Sequence, residues 1–217
     1  MPSIIAHNMS DTAAGTTGRT LDYAAPLYDW LAPIMVFGFE QRCARHVIEH
    51  LDLSPSHRVL DVGCGTGSLT RRLGQSLDAS AGGGIVGVDA AERMLDIARS
   101  KSPAGLPCRF VAGLAESLPY SDCTFDRAVS TFFFHHVEFN LKTKALSEMW
   151  RTLIPGSKAI VVDVDVPTTL LGSCSAWAGY RLFRQEEIRE NIEGRLREAF
   201  DASPFQSWRS VPHHSGY

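Results

Sequence analysis

Three glycines, Gly63, Gly65 and Gly67, lie two residues apart, directly after the apolar run Val59-Leu60-Asp61-Val62 and directly before a helical stretch near Ser68–Leu77. Glycine tolerates positive φ and lets backbone N–H groups come close to a ligand, so a glycine-rich turn from strand to helix suits a nucleotide-type ligand. Two acids stand at matching places: Asp61 just ahead of the loop, and Asp89 at the end of Ile85-Val86-Gly87-Val88. A carboxylate at a strand end can accept two hydrogen bonds, which suits paired ribose hydroxyls. The dinucleotide fingerprint GxGxxG needs a third glycine where this chain has Ser68, so the spacing favours a ligand without a pyrophosphate. His135-His136 follows a further apolar run and offers imidazoles that titrate near neutrality, able to orient a substrate or take a proton. The pair has no third spaced ligand, and no metal site is expected.

The elements that must position these residues alternate along the chain. Strands are expected at Arg58–Val62, Ile85–Asp89, Arg109–Ala112, Phe125–Ser130 and Lys158–Val164, with helices at Ser68–Leu77, Ala91–Ser100 and Lys142–Leu153. The strands are Val/Ile-rich on both faces. That pattern, with helices between, predicts an α/β fold: a doubly wound, mostly parallel Rossmann-like sheet with helices on both faces. A helix Gln185–Phe200 and a sixth strand at Phe205–Val211 are expected after it, leaving an edge hairpin incomplete. Residues 1–20, rich in Ser, Thr, Gly and Ala, read as a mobile leader. Residues 21–217 read as one domain, with a helical cap over 21–53 and a second cap or helix over 168–200.

Composition narrows the function classes. A net charge of −3 with no dense basic block argues against nucleic acid as a partner. No apolar run is long enough to span a bilayer, and nothing at the N-terminus reads as a signal peptide. Five cysteines without a CxxC pair point to reduced thiols in the cytoplasm, packed as small core hydrophobes.

Taken in order, Val59-Leu60-Asp61-Val62-Gly63-Cys64-Gly65-Thr66-Gly67, Val86-Gly87-Val88-Asp89 with Met94-Leu95, Ala115-Glu116-Ser117-Leu118-Pro119-Tyr120, Thr124-Phe125-Asp126 and Leu153-Ile154-Pro155-Gly156 resemble the class I S-adenosylmethionine-dependent methyltransferases over about residues 21–167. The resemblance implies S-adenosyl-L-methionine as cofactor. It implies Asp61, Gly63, Cys64, Gly65, Thr66 and Gly67 beneath the methionine part, Asp89 on the ribose, and Ala90 and Met94 beside the adenine. Where the family often carries an acid for the adenine amino group this chain has Leu114, which leaves that contact to backbone near Leu114 and Ala115. Ser130, at the end of the fourth strand, is implied at the amino-acid end.

Tyr28-Asp29 with Met35, Phe37 and Gly38 is similar to the N-terminal signature of the ubiquinone/menaquinone-biosynthesis C-methyltransferases. Those enzymes usually carry Ala-Gly-Gly where this chain has Val62-Gly63-Cys64, and tend to carry Arg-Asn where it has His135-His136; the His-His form is typical of the broad type 11 group. Small phospholipid N-methyltransferases begin with a similar Tyr-Asp segment. The resemblance implies a catalytic or substrate-orienting role for His135 or His136, with Tyr28 as a lid over the sulfonium, where a cation over an aromatic face gains roughly 0.5–2 kcal/mol. Glu116 reads as a cap on the Leu118-Pro119 turn. Apolar residues gathered at Tyr28–Phe39, Phe132–Phe134 and Leu170–Trp177 point to a small apolar acceptor, a quinone precursor or a lipid, and to peripheral contact with a membrane surface. Two other classes stay open: a methyltransferase acting on a small polar metabolite, and a non-catalytic module that binds S-adenosylmethionine. A nicotinamide oxidoreductase is disfavoured by the GxGxG spacing and by the lack of a Tyr-x-x-x-Lys pair.

Overall fold

The computed structural model describes residues 41–183 and 186–211; the leader, Tyr28, and the apolar segment 28–39 lie outside them. Five strands form one parallel sheet: β1 (Arg58–Val62), β2 (Gly84–Asp89), β3 (Cys108–Ala112), β4 (Phe125–Thr131) and β5 (Leu153–Val162), in the order β3-β2-β1-β4-β5. The chain runs outward from β1 through β2 to β3, then returns to the other side of β1 as β4. The crevice where that reversal occurs, outside the carboxyl ends of β1 and β4, is where open α/β sheets bind ligands.

The unbroken apolar character of the strands follows from burial on two sides. Leu60, Val62 and Ala128 face a core built with Leu141, Ala145, Leu146 and Met149 of helix α4 (Phe139–Thr152) and with Leu196 and Ala199 of α7 (Arg195–Asp201). Val59, Ile85 and Val129 face the opposite core, shared with Val47 and Leu51 of helix α1 (residues 41–51) and Leu69 and Leu73 of α2 (Ser68–Gly74). Neighbours on one strand thus serve different cores, as a period of two requires. Helix α3 (Glu92–Ser100) packs along β2 and β3. The C-terminus of α1 is tied to the sheet by Arg127 of β4, whose guanidinium donates to the carbonyls of Leu51 and Asp52.

Several expectations change. Residues 205–211 form no strand: Phe205 and Trp208 pack on Phe200, and the Trp208 indole donates to Asp201, so side-chain anchorage replaces a ladder. The helix expected over Gln185–Phe200 is two helices, α6 (Glu186–Ile192) and α7, because Gly194 adopts φ 98, which an α-helix cannot contain. The apolar stretch after Pro167 is helix α5 (Leu170–Phe183). β5 begins earlier than expected, at Leu153, and carries a register shift against β4 around Pro155 and Gly156. Proline fits there because this is an edge strand of the described sheet. Of the five cysteines, Cys123 and Cys174 are exposed, so only Cys43, Cys64 and Cys108 are packed inside or partly inside.

Candidate functional site

The expected loop joins β1 to α2, with Gly63, Gly65 and Gly67 all at positive φ (71°, 51° and 72°). The three differ in what surrounds them. A Cβ on Gly63 would fall 2.6 Å from Phe133, and one on Gly67 would fall 2.5 Å from the Phe110 ring. At Gly65 no atom of the described residues stands within 4 Å of that position. Two glycines therefore serve packing and one opens onto free space. The loop is pinned from below: the N–H groups of Gly63 and Cys64 donate to the Val88 carbonyl, and the Gly65 N–H donates to Asp89 Oδ2 at 2.8 Å.

Asp89 also accepts from the Ala91 N–H on Oδ1 at 2.9 Å. These backbone bonds fix the carboxylate, and an ionised carboxylate at a strand end suits ribose hydroxyls because it has about four acceptor positions. Beyond it, Ala90 is exposed, and Met94, Ala91 and Ile97 form a small apolar cluster apart from the main cores. Gly113 N–H donates to the Asp89 carbonyl, and the Leu114 carbonyl accepts from Ser117 N–H. The Ala115 methyl is buried in the core, so only its backbone can meet a ligand. Glu148 also caps the turn at Leu118: its Oε2 accepts from the Leu118 N–H, and Arg151 braces Glu148.

Asp61 lies within the sheet, its Oδ2 accepting from Thr70 Oγ1 at 2.6 Å and its Oδ1 without a partner. Burial pushes its carboxyl up to about 7, with the Thr70 bond opposing and the Asp89 charge adding to the rise. Ser130, at the end of β4, is also buried with an unpartnered Oγ. Two orphaned polar atoms, an open glycine and a tethered strand-end acid fit a ligand with an amino-acid end and a ribose. Burial raises the Cys64 and Cys108 thiols, the latter to about 11, so both are inert thiols.

The histidine pair sits in a 3₁₀ turn, Phe134–His136, after β4. His135 Nδ1 lies 2.6 Å from Oδ1 of Asp163, whose side chain is fully buried. Asp163 also accepts from the N–H groups of Phe134 and Val164. A carboxylate so engaged accepts only, which places the hydrogen of His135 on Nδ1 and the basic lone pair on Nε2. The His136 ring lies against that of His135, centroids 3.9 Å apart. Phe132, just before them, is held at φ 55, a backbone state that costs a bulky residue on the order of 1–3 kcal/mol and concentrates at functional sites. Phe134 is fully buried in the core, so of the apolar trio at 132–134 this ring fills the interior.

Asp163, Thr70 and Asn191 of α6 were not expected as site residues. Asp163 had a legible signal: like Asp61 and Asp89, it is an acid at the carboxyl end of a Val-rich strand. A separate group, His46, Glu49 and His50 on α1, brings its ligand atoms within 4.8 Å of one another, and exposed groups of this kind commonly hold no ion.

Residues 59–156 match the model of a methyltransferase domain. The chain is 37% identical over 145 residues to a demethylmenaquinone methyltransferase of Thermus thermophilus, covering 66% of this chain and 63% of that one. It is 34% identical over 151 residues to a ubiquinone/menaquinone biosynthesis C-methyltransferase of Geobacter sulfurreducens, covering 68% and 57%. The matches thus span less than two thirds of either relative. A solved structure from Methanococcus maripaludis shares the fold, with TM-score 0.67 at 19% identity over 91% of each chain. No described helix is long and apolar enough to cross a membrane. With this fold, this glycine loop and these likenesses, the chain carries a methyltransferase domain over residues 59–156 and resembles the S-adenosyl-L-methionine-dependent ubiquinone and menaquinone C-methyltransferases.

Proposed function

We propose that the chain transfers a methyl group from S-adenosyl-L-methionine to a small, apolar, hydroxyl-bearing ring of the quinone-precursor kind. The observation that carries this reading is the Asp163–His135 pair, standing at the sheet edge that also holds the glycine loop. The relatives named demethylmenaquinone and ubiquinone/menaquinone methyltransferases support it.

In this reading Asp61 and residues 63–67 hold the methionine part, Asp89 the ribose, Ala90, Met94, Leu114 and Ala115 the adenine, and Ser130 the amino-acid end. The cofactor, when bound, supplies an electrophilic methyl on a cationic sulfur. Positioning and desolvation then supply most of the catalysis, because the leaving sulfide is neutral. His135 Nε2 takes the proton of an acceptor hydroxyl, and electron density moves to the ring carbon. The bound cofactor would supply the methyl to the ring carbon and leave as the neutral sulfide, and the ring proton would pass to solvent water as aromaticity returns. Asp163 fixes the tautomer and stabilises the imidazolium, and His136 flanks the ring. Leu170 and Trp177 on α5 are 89% and 41% exposed, which favours peripheral contact of a cytoplasmic protein with a membrane surface, where such an acceptor would reside.

The test is a radiolabelled methyl-transfer assay offering a 1,4-naphthoquinol with an open ring carbon, phosphatidylethanolamine, and a panel of small polar acceptors. Label should pass to the quinol, and His135→Ala and Asp163→Asn should each lower turnover by roughly 100-fold while cofactor affinity holds. Label on polar acceptors alone, or no transfer by a protein that binds the cofactor, would replace this reading with one of the two open classes.

A further inference from the structure

Helix α6 packs on the Phe134–His136 turn and on α7. It is fastened from the sheet side: Lys142 of α4, fully buried, donates from Nζ to Glu190 Oε2 at 2.7 Å. The next residue, Asn191, is also fully buried, and neither Oδ1 nor Nδ2 of its amide has a hydrogen-bond partner among the described residues. A buried carboxamide left wholly unpaired is costly and rare, and it needs an occupant that both donates and accepts. The Lys142–Glu190 bond immediately beside it fastens this part of the helix, so the amide is presented from a tethered element. The helix that carries it covers the turn holding the Asp163-oriented imidazole.

We propose that Asn191 is the residue that reads the acceptor's second ring hydroxyl, the one whose proton His135 does not take, Oδ1 accepting its O–H and Nδ2 donating to its oxygen. This rests on the acceptor class argued above and deepens it. A quinol hydroxyl satisfies both atoms of the amide. The carbonyl of the oxidised quinone satisfies only Nδ2 and leaves Oδ1 buried and unpaired. Asn191 therefore makes the site selective for the reduced ring, the form from which a base can generate an electron-rich carbon. A site built to pair a hydroxyl rejects the analogue lacking it far more strongly than an apolar pocket does.

The experiment measures anaerobic binding of 1,4-naphthoquinol and 1,4-naphthoquinone to the full chain loaded with S-adenosylhomocysteine, in wild type and in Asn191→Leu, which keeps the side-chain size. Wild type should bind the quinol about tenfold more tightly than the quinone. Asn191→Leu should lose that preference and keep its affinity for S-adenosylhomocysteine. Its Tm without acceptor should rise by about 3 °C, because an unpaired buried amide has been removed. Unchanged quinol preference together with a raised Tm would mean that the amide holds only a water, and would overturn the proposal. So would a lowered Tm, which would make the amide structural. If wild type itself binds neither ring, the quinone reading fails and the proposal falls with it, an outcome separable from the others because it precedes the variant.

Discussion

The three glycines of one short loop have different reasons to be glycine, and this can be measured. Gly67→Ala drives a methyl into the Phe110 ring at a positive φ and should destabilise the fold by about 2 kcal/mol or more in urea unfolding. A Cβ at Gly65 meets no atom of the described residues, so Gly65→Val carries mainly backbone strain; its chief effect should be severe loss of S-adenosylmethionine affinity by calorimetry. Equal stability losses with cofactor binding intact would refute the division. Asp61 makes a second measurable case. Its folded pKa is raised to about 7 from an ordinary value near 3.8, so the folded state holds a proton that the unfolded chain gives up. Stability from this group is complete below pH 4 and is lost as pH rises through 7. A cofactor ammonium placed near it favours the carboxylate, so binding should strengthen from pH 6 to 8 with release of a proton. Calorimetry in buffers of different ionisation enthalpy should show that release in wild type and not in Asp61→Asn.

At the scale of elements, what matters is how separate strands and helices fix one another. β1, β2 and β5 each deliver an acid to the same edge of the sheet, since parallel strands end together. β4 delivers Ser130 and the strained Phe132, and the turn after it places His135 over Asp163. Helix α6 is joined to this arrangement through Lys142 and Glu190. Removing one partner of a buried ion pair leaves an uncompensated charge, at a cost of about 3–5 kcal/mol when both are buried. Glu190 is 28% exposed, so Glu190→Ala should cost less, about 2 kcal/mol in chemical denaturation, while Lys142→Met should be milder. A larger loss for Lys142→Met, which keeps an apolar stem of similar length, would show that leaving Glu190 without the ammonium costs more than leaving the lysine charge without Glu190.

At the scale of the molecule, one sheet with a core on each side places a crevice at the β1/β4 reversal, and Leu170 and Trp177 of α5 are exposed. If these side chains meet lipid, the full chain should co-sediment with liposomes, and Leu170→Glu with Trp177→Glu should abolish the pelleting without altering cofactor affinity; failure of wild type to bind any composition would exclude the membrane contact. The strands, their parallel order and the cofactor loop could be read from the residues, because buried parallel strands are continuous apolar runs and the glycine spacing is local. Boundaries slipped where a local signal competed with packing, as at Gly194, which splits one periodic stripe into two helices, and at Phe205–Val211, where aromatic anchorage on Phe200 displaced a strand. Asp163 and His135 are 28 residues apart, and Lys142 and Glu190 are 48 apart. No periodicity links such pairs. The sequence determined which groups the chain owns and where the glycine loop lies between strand and helix. Only tertiary structure decided which imidazole has a carboxylate behind it, which glycine is open, and which amide is buried without a partner, because those depend on distances that chain spacing does not set.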